Sequence, residues 1–176
     1  IKISIKKDHF EICDTCGGIP SGLIERDIFR SGNKILSQKY QTIGMYGIGL
    51  KRAIFKMGNC ILFESDDGND YSKLEMNVQK WLEQPNNWKW PLGVYKSGHI
   101  AGKANFTKIY ITELKDEVKE IFNLESFINN LRKRIGIYYT KFIDKNIDFF
   151  INGIKEEPFE LAISIVHKHD VSQEYY

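Results

Sequence analysis

The sequence predicts a mixed α/β domain, and three stretches carry that prediction. Residues 106–114, FTKIYITEL, alternate apolar and polar side chains as a half-buried strand does. Residues 124–142 repeat apolar side chains at the spacing of an amphipathic helix. Residues 43–58, IGMYGIGLKRAIFKMG, join a glycine loop directly to another helix. With 176 residues, the chain is long enough for one domain with a sizeable core.

The remaining strands follow from alternation and turn residues. The isoleucines at positions 1, 3 and 5 alternate with polar neighbours, and residues 1–13 are predicted to form a hairpin. On the strand of residues 106–114, Thr107, Ile109 and Ile111 share one face. Asn152 and Gly153 predict a tight turn between two late strands. The later strands are predicted at residues 60–65, 71–78, 106–114, 147–151 and from 154 onward.

The helical segments differ in their predicted surroundings. Residues 20–42 predict a short helix followed by a loop of the length that lids have. Residues 116–122 predict another short helix, and Gly58 is placed where the glycine-loop helix stops. On the long helix, the basic run at residues 132–134 is predicted to be its solvated side.

Composition excludes several classes of protein and leaves others open. A formal charge of +2 argues neither for nor against nucleic acid. The sequence contains no apolar run long enough for a membrane span and no signal peptide, so a cytoplasmic protein is expected. Cys13 and Cys16 form a C-x-x-C without a second pair, which favours reduced thiols over a metal or redox site. Because the chain opens inside a predicted strand, we expect a longer parent, with a domain at residues 1–160 and a tail or following domain at 161–176.

Two short motifs suggest a binding site. A helix that starts at a glycine loop collects free backbone N–H groups and the positive end of its dipole, which suits phosphate. Lys51 and Arg52 place positive charge in its first turn, which is unfavourable with the dipole unless an anion binds there. The alternative is that the glycines simply form a tight loop. In DTCGGI, residues 14–19, Asp14 ends a strand and can accept from an exocyclic amine. Its alternative is an Asx turn in which glycine supplies positive φ.

The order of these motifs resembles the GHKL ATPases, the group of gyrase, heat-shock chaperones, histidine kinases and MutL, with the MORC proteins close by. The shared order is a carboxylate with glycines after a strand, a lid-length loop, a glycine loop capping a helix, and a strand carrying Thr107. The resemblance implies the Bergerat ATP-binding fold, a two-layer sandwich of a mixed, mostly antiparallel sheet with helices on one face. GLKRA after the glycines favours the chaperone, MutL or MORC branch.

The resemblance also implies roles for individual residues. Asp14 would accept from the adenine amino group, and Thr107 would contact the adenine side of the pocket through water. Gly18, with Ile19 beside it, matches the second glycine of D-x-G-x-G, whereas Cys16 stands where the first glycine is usual. The lid-end residues would hold the phosphates, with the lysine near the terminal one: Gly44, Tyr46, Gly47, Ile48, Gly49, Leu50 and Lys51.

One part of the family pattern is missing from this sequence. The family's first box is a helix with a Glu that activates water and an Asn that binds Mg²⁺; that Glu would lie upstream of Ile1. Glu125 and Asn129 have a similar spacing but lie on the long helix. The resemblance therefore implies ATP and Mg²⁺ as cofactors and an ATPase in the parent protein, while this chain holds no metal ligand. It also implies a homodimer through the N-terminal region or lid, and a nucleic-acid or protein client bound by other domains.

Two other functions stay open. A histidine-kinase ATP-binding domain would need a phospho-acceptor histidine, and the four histidines of this chain lie on predicted strands or loops. A non-catalytic interaction domain could have kept the sandwich and lost the site; Cys16 and the missing helix favour it.

Overall fold

The computed structural model describes residues 1–24, 49–83, 92–100 and 104–159, and for Lys51 and residues 92–97 it describes the backbone alone. The strands are β1 (Lys2–Ile5), β2 (Phe10–Asp14), β3 (Gly58–Asp66), β4 (Asp70–Asn77), β5 (Leu92–Ser97), β6 (Phe106–Leu114), β7 (Phe150–Ile151) and β8 (Ile154–Lys155). The helices are α1 (Ser21–Leu23), α2 (Gly49–Met57), α3 (Val78–Leu82), α4 (Asp116–Phe122), α5 (Glu125–Tyr138) and α6 (Thr140–Ile143). Within these ranges, every helix is too short or too polar to cross a membrane.

The strands form one sheet of eight in the order β5-β4-β3-β6-β2-β1-β7-β8. Strands β1 and β7 run parallel, and the other neighbouring pairs among the described strands are antiparallel. The predicted fold class, a mixed and mostly antiparallel sheet with helices, is therefore confirmed. The hairpin predicted at residues 1–13 is confirmed as β1 and β2, with the second strand extending to Asp14.

One face of the sheet carries the core. In an antiparallel pair, directly opposed residues point to the same side, and the register opposes Phe63 to Ile109 and to Leu74. The buried cluster on this face joins β3, β4 and β6 to α2 and α3: Ile24, Ile54, Ile61, Phe63, Leu74, Met76, Val78, Ile111 and Leu114. A second cluster packs β1 and β7 against α5, and Phe10 and Phe122 contact both clusters. Each large buried side chain contributes about 1.5–3 kcal/mol.

The helix predicted over residues 124–142 is wrong in one respect, because it breaks at Tyr139. Tyr139 has φ −111° and ψ 13°, so α5 ends before it and α6 starts after it. The Thr140 hydroxyl donates to the carbonyl oxygens of Gly136 and Ile137, a pattern that bends helices. The break allows the Tyr139 ring to pack 5.3 Å from the ring of Phe149.

The prediction that residues 132–134 are simply solvated is wrong for Arg132. Its Nε donates to Oε1 of Glu156 at 2.7 Å, and Glu156 is 5% exposed. Lys133 and Arg134 are exposed, as predicted. The pair joins α5 to the segment after β8, a contact between positions that are distant in sequence.

Strand bounds differ from the prediction mainly at the sheet edges. The sequence predicts a strand over residues 147–151, whereas β7 covers Phe150–Ile151 and β8 covers only Ile154–Lys155. Strand β5 is not predicted at all. Strand β4 ends at Asn77, one residue before the prediction, because the Asn77 side chain accepts from the amide of Lys80 and caps α3.

Gly58 confirms the predicted helix stop, because α2 ends at Met57, and it has a second role. It is the first residue of β3, and a Cβ there would lie 2.6 Å from the carbonyl oxygen of Thr112. The glycine is therefore needed for the close approach of β3 to β6.

Candidate functional site

A row of polar residues crosses four strands at one end of the core face. The register opposes Asp14 to Thr107, Thr107 to Ser65, and Ser65 to Ser72. Each lies an even number of residues from a core residue of its own strand (Phe10, Ile109, Phe63 and Leu74), so all four are on the face that carries the core. Asp14 and Thr107 are half-buried, whereas the two serines are buried. The row combines a carboxylate and hydroxyls where the apolar core ends.

The predicted site residue Asp14 sits at the start of a glycine turn. Its Oδ1 accepts from the amide of Cys16 at 2.9 Å, which is the Asx turn that the sequence left open. Gly17 has φ +117° and Gly18 has φ +72°, so both need glycine. Cys16 is absent from the positive-φ residues and is exposed. A side chain at this position is therefore compatible with the backbone, although the family pattern has glycine there.

Gly18 also allows a close approach. A Cβ there would lie 1.9 Å from the backbone oxygen of Asp66, which no side chain can tolerate. The next amide, of Ile19, donates to the Ser65 hydroxyl at 2.7 Å. The glycine turn is thus held against the end of β3, next to Thr107.

Ser65 connects the turn to the neighbouring strand β6. Its hydroxyl lies 3.1 Å from the carbonyl oxygen of Phe106 and 3.3 Å from Oγ1 of Thr107. The sequence analysis missed this residue. Its position at the end of an apolar run, directly before Asp66, is the signal that could have found it.

Asp66 anchors a second loop beside the glycine turn. Its side chain is fully buried and accepts from the amides of Gly68 and Ile100 and from Nδ1 of His99, at 2.8–2.9 Å. Burial alone would raise the pKa of this carboxyl, but the hydrogen bond from His99 and those from the two amides hold it below its usual value. These bonds explain how a carboxylate can be buried there.

The helix start predicted for phosphate is partly described. α2 begins at Gly49, and Gly49, Leu50 and Arg52 are exposed. Nothing lies within 4 Å of where a Gly49 Cβ would be. α2 leads directly into β3 and packs Ile54 against the core face of the sheet, so it runs roughly antiparallel to β3. The start of α2 therefore lies toward the end of β3 that carries Ser65.

Several predicted residues lie outside this description. Gly44, Tyr46, Gly47 and Ile48 fall outside the described residues, as does the side chain of Lys51. Glu125 and Asn129 are both exposed on α5. Of the histidines, the described ones pair with neighbouring carboxylates, His9 with Asp8 and His99 with Asp66.

Cys16 in the glycine turn and Cys13 before it have raised thiol pKa values. Partial desolvation and then the Asp14 carboxylate raise the pKa of the Cys16 thiol, although the residue is largely exposed, and burial raises the pKa of the Cys13 thiol. The three cysteines are free thiols. The described parts of the chain hold no group of three or more His, Cys, Asp or Glu residues placed to share a metal ion.

Comparisons with solved structures find the same fold. The ATPase region of Saccharomyces cerevisiae topoisomerase II matches with a TM-score of 0.53 and 18% identity, over 88% of this chain and 42% of that chain. The same region bound to ICRF-187 (dexrazoxane) matches with a TM-score of 0.55 and 17% identity, over the same shares. The chain has the fold of this ATPase region.

The match at these identities shows the fold alone. The chain spans less than half the length of the structures it matches. No protein-family model and no curated protein matches the chain. The predicted chaperone, MutL or MORC branch therefore stays a prediction.

Proposed function

We propose that the chain binds ATP, with the adenine beside Asp14 and Thr107 and the phosphates at the start of α2. The observation that carries the proposal is the register that sets Asp14 beside Thr107 at the end of the core face. The fold of an ATPase region supports it. In this proposal the chain is the nucleotide-binding part of a GHKL-type ATPase.

The adenine end fits the chemistry of the ligand. The exocyclic amine of adenine donates hydrogen bonds, and a carboxylate accepts them. Asp14 is half-buried, so such a bond would be partly shielded from water. Nothing lies within 4 Å of where a Gly17 Cβ would be, so the backbone at Gly17 is open next to that carboxylate.

The phosphate end fits an anion. The start of α2 is exposed, and its first turn contains no acidic residue. Backbone N–H groups at a helix start can bind an anion, and no carboxylate in the first turn of α2 competes with them or with Arg52. The remaining glycines of the loop, Gly44 and Gly47, and the lysine Lys51 would complete the cradle.

Hydrolysis is the finer part of the proposal. Mg²⁺ would accompany the phosphates, and its ligands and the water-activating glutamate would come from the helix that the family resemblance expects upstream. Lid closure over the terminal phosphate would then couple hydrolysis to a conformational switch.

A non-catalytic interaction domain remains the second candidate. The observation that favours it is the Asx turn, because it gives the Asp14 carboxylate a structural role without any ligand. The Asp14→Asn variant separates the two functions, since an asparagine oxygen can keep the turn while the carboxylate is lost.

The experiment is a thermal-shift titration of the protein with ATP–Mg²⁺ and GTP–Mg²⁺. At about 100 times Kd, a bound nucleotide adds ~2.7 kcal/mol of stability, which raises Tm by roughly 5–10 °C for a domain of this size. We expect a shift with ATP that is lost in Asp14→Asn and in Asp14→Ala. Glu11→Gln is the matched control, because Glu11 lies on β2 an odd number of residues from Asp14 and so on the opposite face. An absence of any shift with ATP in the unmodified protein would favour the interaction domain instead.

A further inference from the structure

We propose that Ser65 is a positioning residue that makes the Thr107 hydroxyl an acceptor toward the ligand. It would thereby strengthen the preference for a base with an amino group over one with a carbonyl at the same position. The inference rests on the proposed function, because it concerns selectivity at the same site.

The Ser65 hydroxyl has a limited hydrogen-bonding capacity. A serine hydroxyl has one proton to donate and two lone pairs that accept. The amide of Ile19 has only a proton to offer, so it uses one lone pair of Ser65 at 2.7 Å. The carbonyl oxygen of Phe106 only accepts, so it takes the Ser65 proton at 3.1 Å. One lone pair of Ser65 is left.

The Thr107 hydroxyl proton points to Ser65. Thr107 Oγ1 lies 3.3 Å from the Ser65 hydroxyl, whose proton is already donated to Phe106. The bond between them therefore needs Thr107 as the donor. This arrangement satisfies all three neighbours of Ser65, whereas the reverse would leave two oxygens facing each other at 3.1 Å without a proton. Thr107 is left with lone pairs only.

The Thr107 hydroxyl lies beside the Asp14 carboxylate. The two residues are directly opposed on β2 and β6, so their Cβ atoms are about 4.5–5.5 Å apart. A carboxylate and an acceptor hydroxyl then stand side by side. A water that donated to both would in turn present only lone pairs. With or without a bridging water, the site favours a ligand edge that donates.

Two nucleotides that differ in the group facing Asp14 and Thr107 can report whether this pair of side chains accepts hydrogen bonds. ATP carries an amino group on its six-membered ring, and inosine triphosphate (ITP) carries a carbonyl oxygen in its place. The amino group donates to the pair of acceptors, whereas the carbonyl oxygen is repelled by them. Removing the acceptor of the Thr107 proton would let that hydroxyl turn and donate to the carbonyl.

Ser72 provides a matched control in the same row. It is directly opposed to Ser65 on β4 and is 2% exposed, as buried as its neighbour. Among the residues that the structure describes, its Oγ has no hydrogen-bond partner. The two serines therefore share residue type, burial and face, and differ in the bonds that the proposal needs.

The test measures Kd for ATP and for ITP, each with Mg²⁺, in the purified protein. We expect Ser65→Ala to lower the preference for ATP over ITP by about 3- to 10-fold, the effect of one hydrogen bond. Ser72→Ala should leave the ratio unchanged. In a Thr107→Val background, which has no hydroxyl to orient, Ser65→Ala should not change the ratio further.

The outcomes separate this inference from the function on which it rests. If Ser65→Ala weakens both nucleotides equally, Ser65 only supports the fold and the inference is overturned while ATP binding stands. If the unmodified protein binds neither nucleotide, the proposed function fails and the inference fails with it. Should Ser65→Ala not fold, Ser65→Cys replaces it, since a thiol is close in size and a weak donor and acceptor, and the same fall in the ratio is expected.

Discussion

Gly18 is the residue on which the geometry of the candidate site depends most directly. Its φ of +72° is a conformation that costs other residues about 1–2 kcal/mol. Its missing Cβ also lets the turn touch the backbone oxygen of Asp66. A residue type that sequence analysis marks only as a motif glycine is thus required twice over, by conformation and by space.

We expect Gly18→Ala to lower the free energy of unfolding by on the order of 2–4 kcal/mol. The alanine would hold a strained positive φ, and its Cβ would force the neighbouring backbone to move. Urea denaturation followed by circular dichroism measures the change through the transition midpoint. Gly22→Ala is the control, since nothing lies within 4 Å of a Cβ there and the residue is in α1. Equal midpoints for Gly18→Ala and the unmodified protein would contradict the close approach.

At the scale of elements, α5 shows how a local pattern and a tertiary contact disagree. The basic run at residues 132–134 has the composition of a solvated face, and two of its three residues are solvated. The third, Arg132, pairs with Glu156, which is buried after β8. Gly136 adds to this contact, because its carbonyl oxygen accepts from the amide of Phe159 at 3.2 Å.

Replacing Arg132 by methionine should destabilise the protein by about 1–3 kcal/mol, because the Glu156 carboxylate would stay buried without its cation. The estimate is kept below the range for fully buried pairs, since the Arg132 side chain is 30% exposed. Thermal unfolding at neutral pH measures it.

The matched control is Arg134→Met, the same substitution at an exposed position two residues along α5. Its effect should stay within about 0.5 kcal/mol. A loss as large as that of Arg132→Met would mean that the charge of the helix, and not the pair with Glu156, matters.

At the scale of the whole molecule, carboxylates at the end of β3 connect it to neighbouring strands and loops. For Glu64 burial alone would raise the pKa, but hydrogen bonds from Lys108 and Tyr71 lower it overall. Burial would also raise the pKa of the Asp66 carboxyl, but hydrogen bonds from His99 and two backbone amides lower it overall. A carboxyl whose pKa is lower in the folded state stabilises the fold above its unfolded pKa, and that stability is lost as pH falls through the folded value.

We therefore expect the protein to lose stability as pH falls below about 4, the ordinary aspartate value. Asp66→Asn should cost about 1–3 kcal/mol at pH 7 and should show a smaller further loss on acidification. Urea unfolding at a series of pH values from 7 to 3 measures both effects. A variant whose stability falls with pH as steeply as that of the unmodified protein would show that Asp66 does not contribute to the acid response.

Residues of the candidate site were predictable where the adjacent sequence alone explains why that residue type is present. Asp14 and Gly18 stand out in DTCGGI, and Thr107 stands out on a strand with clean alternation. The only signal for Ser65 is its place after an apolar run, and Asp66 and His99 have none, because their roles come from neighbours on other strands and loops. The roles in ATP binding assigned to the site residues remain predictions.

The sequence by itself determined most of the elements, because alternation and helical spacing are local and the described strands and helices largely follow them. Its motif order determined the fold class through the family resemblance. It also determined where glycine and aspartate must stand in the turn, since φ and capping depend on adjacent residues. Only the tertiary structure decided that Asp14, Thr107, Ser65 and Ser72 form one row. It alone decided that Gly18 meets Asp66 and that Arg132 meets Glu156. The physical reason is that register and burial depend on which strands become neighbours, and residues far apart in the chain make that choice together.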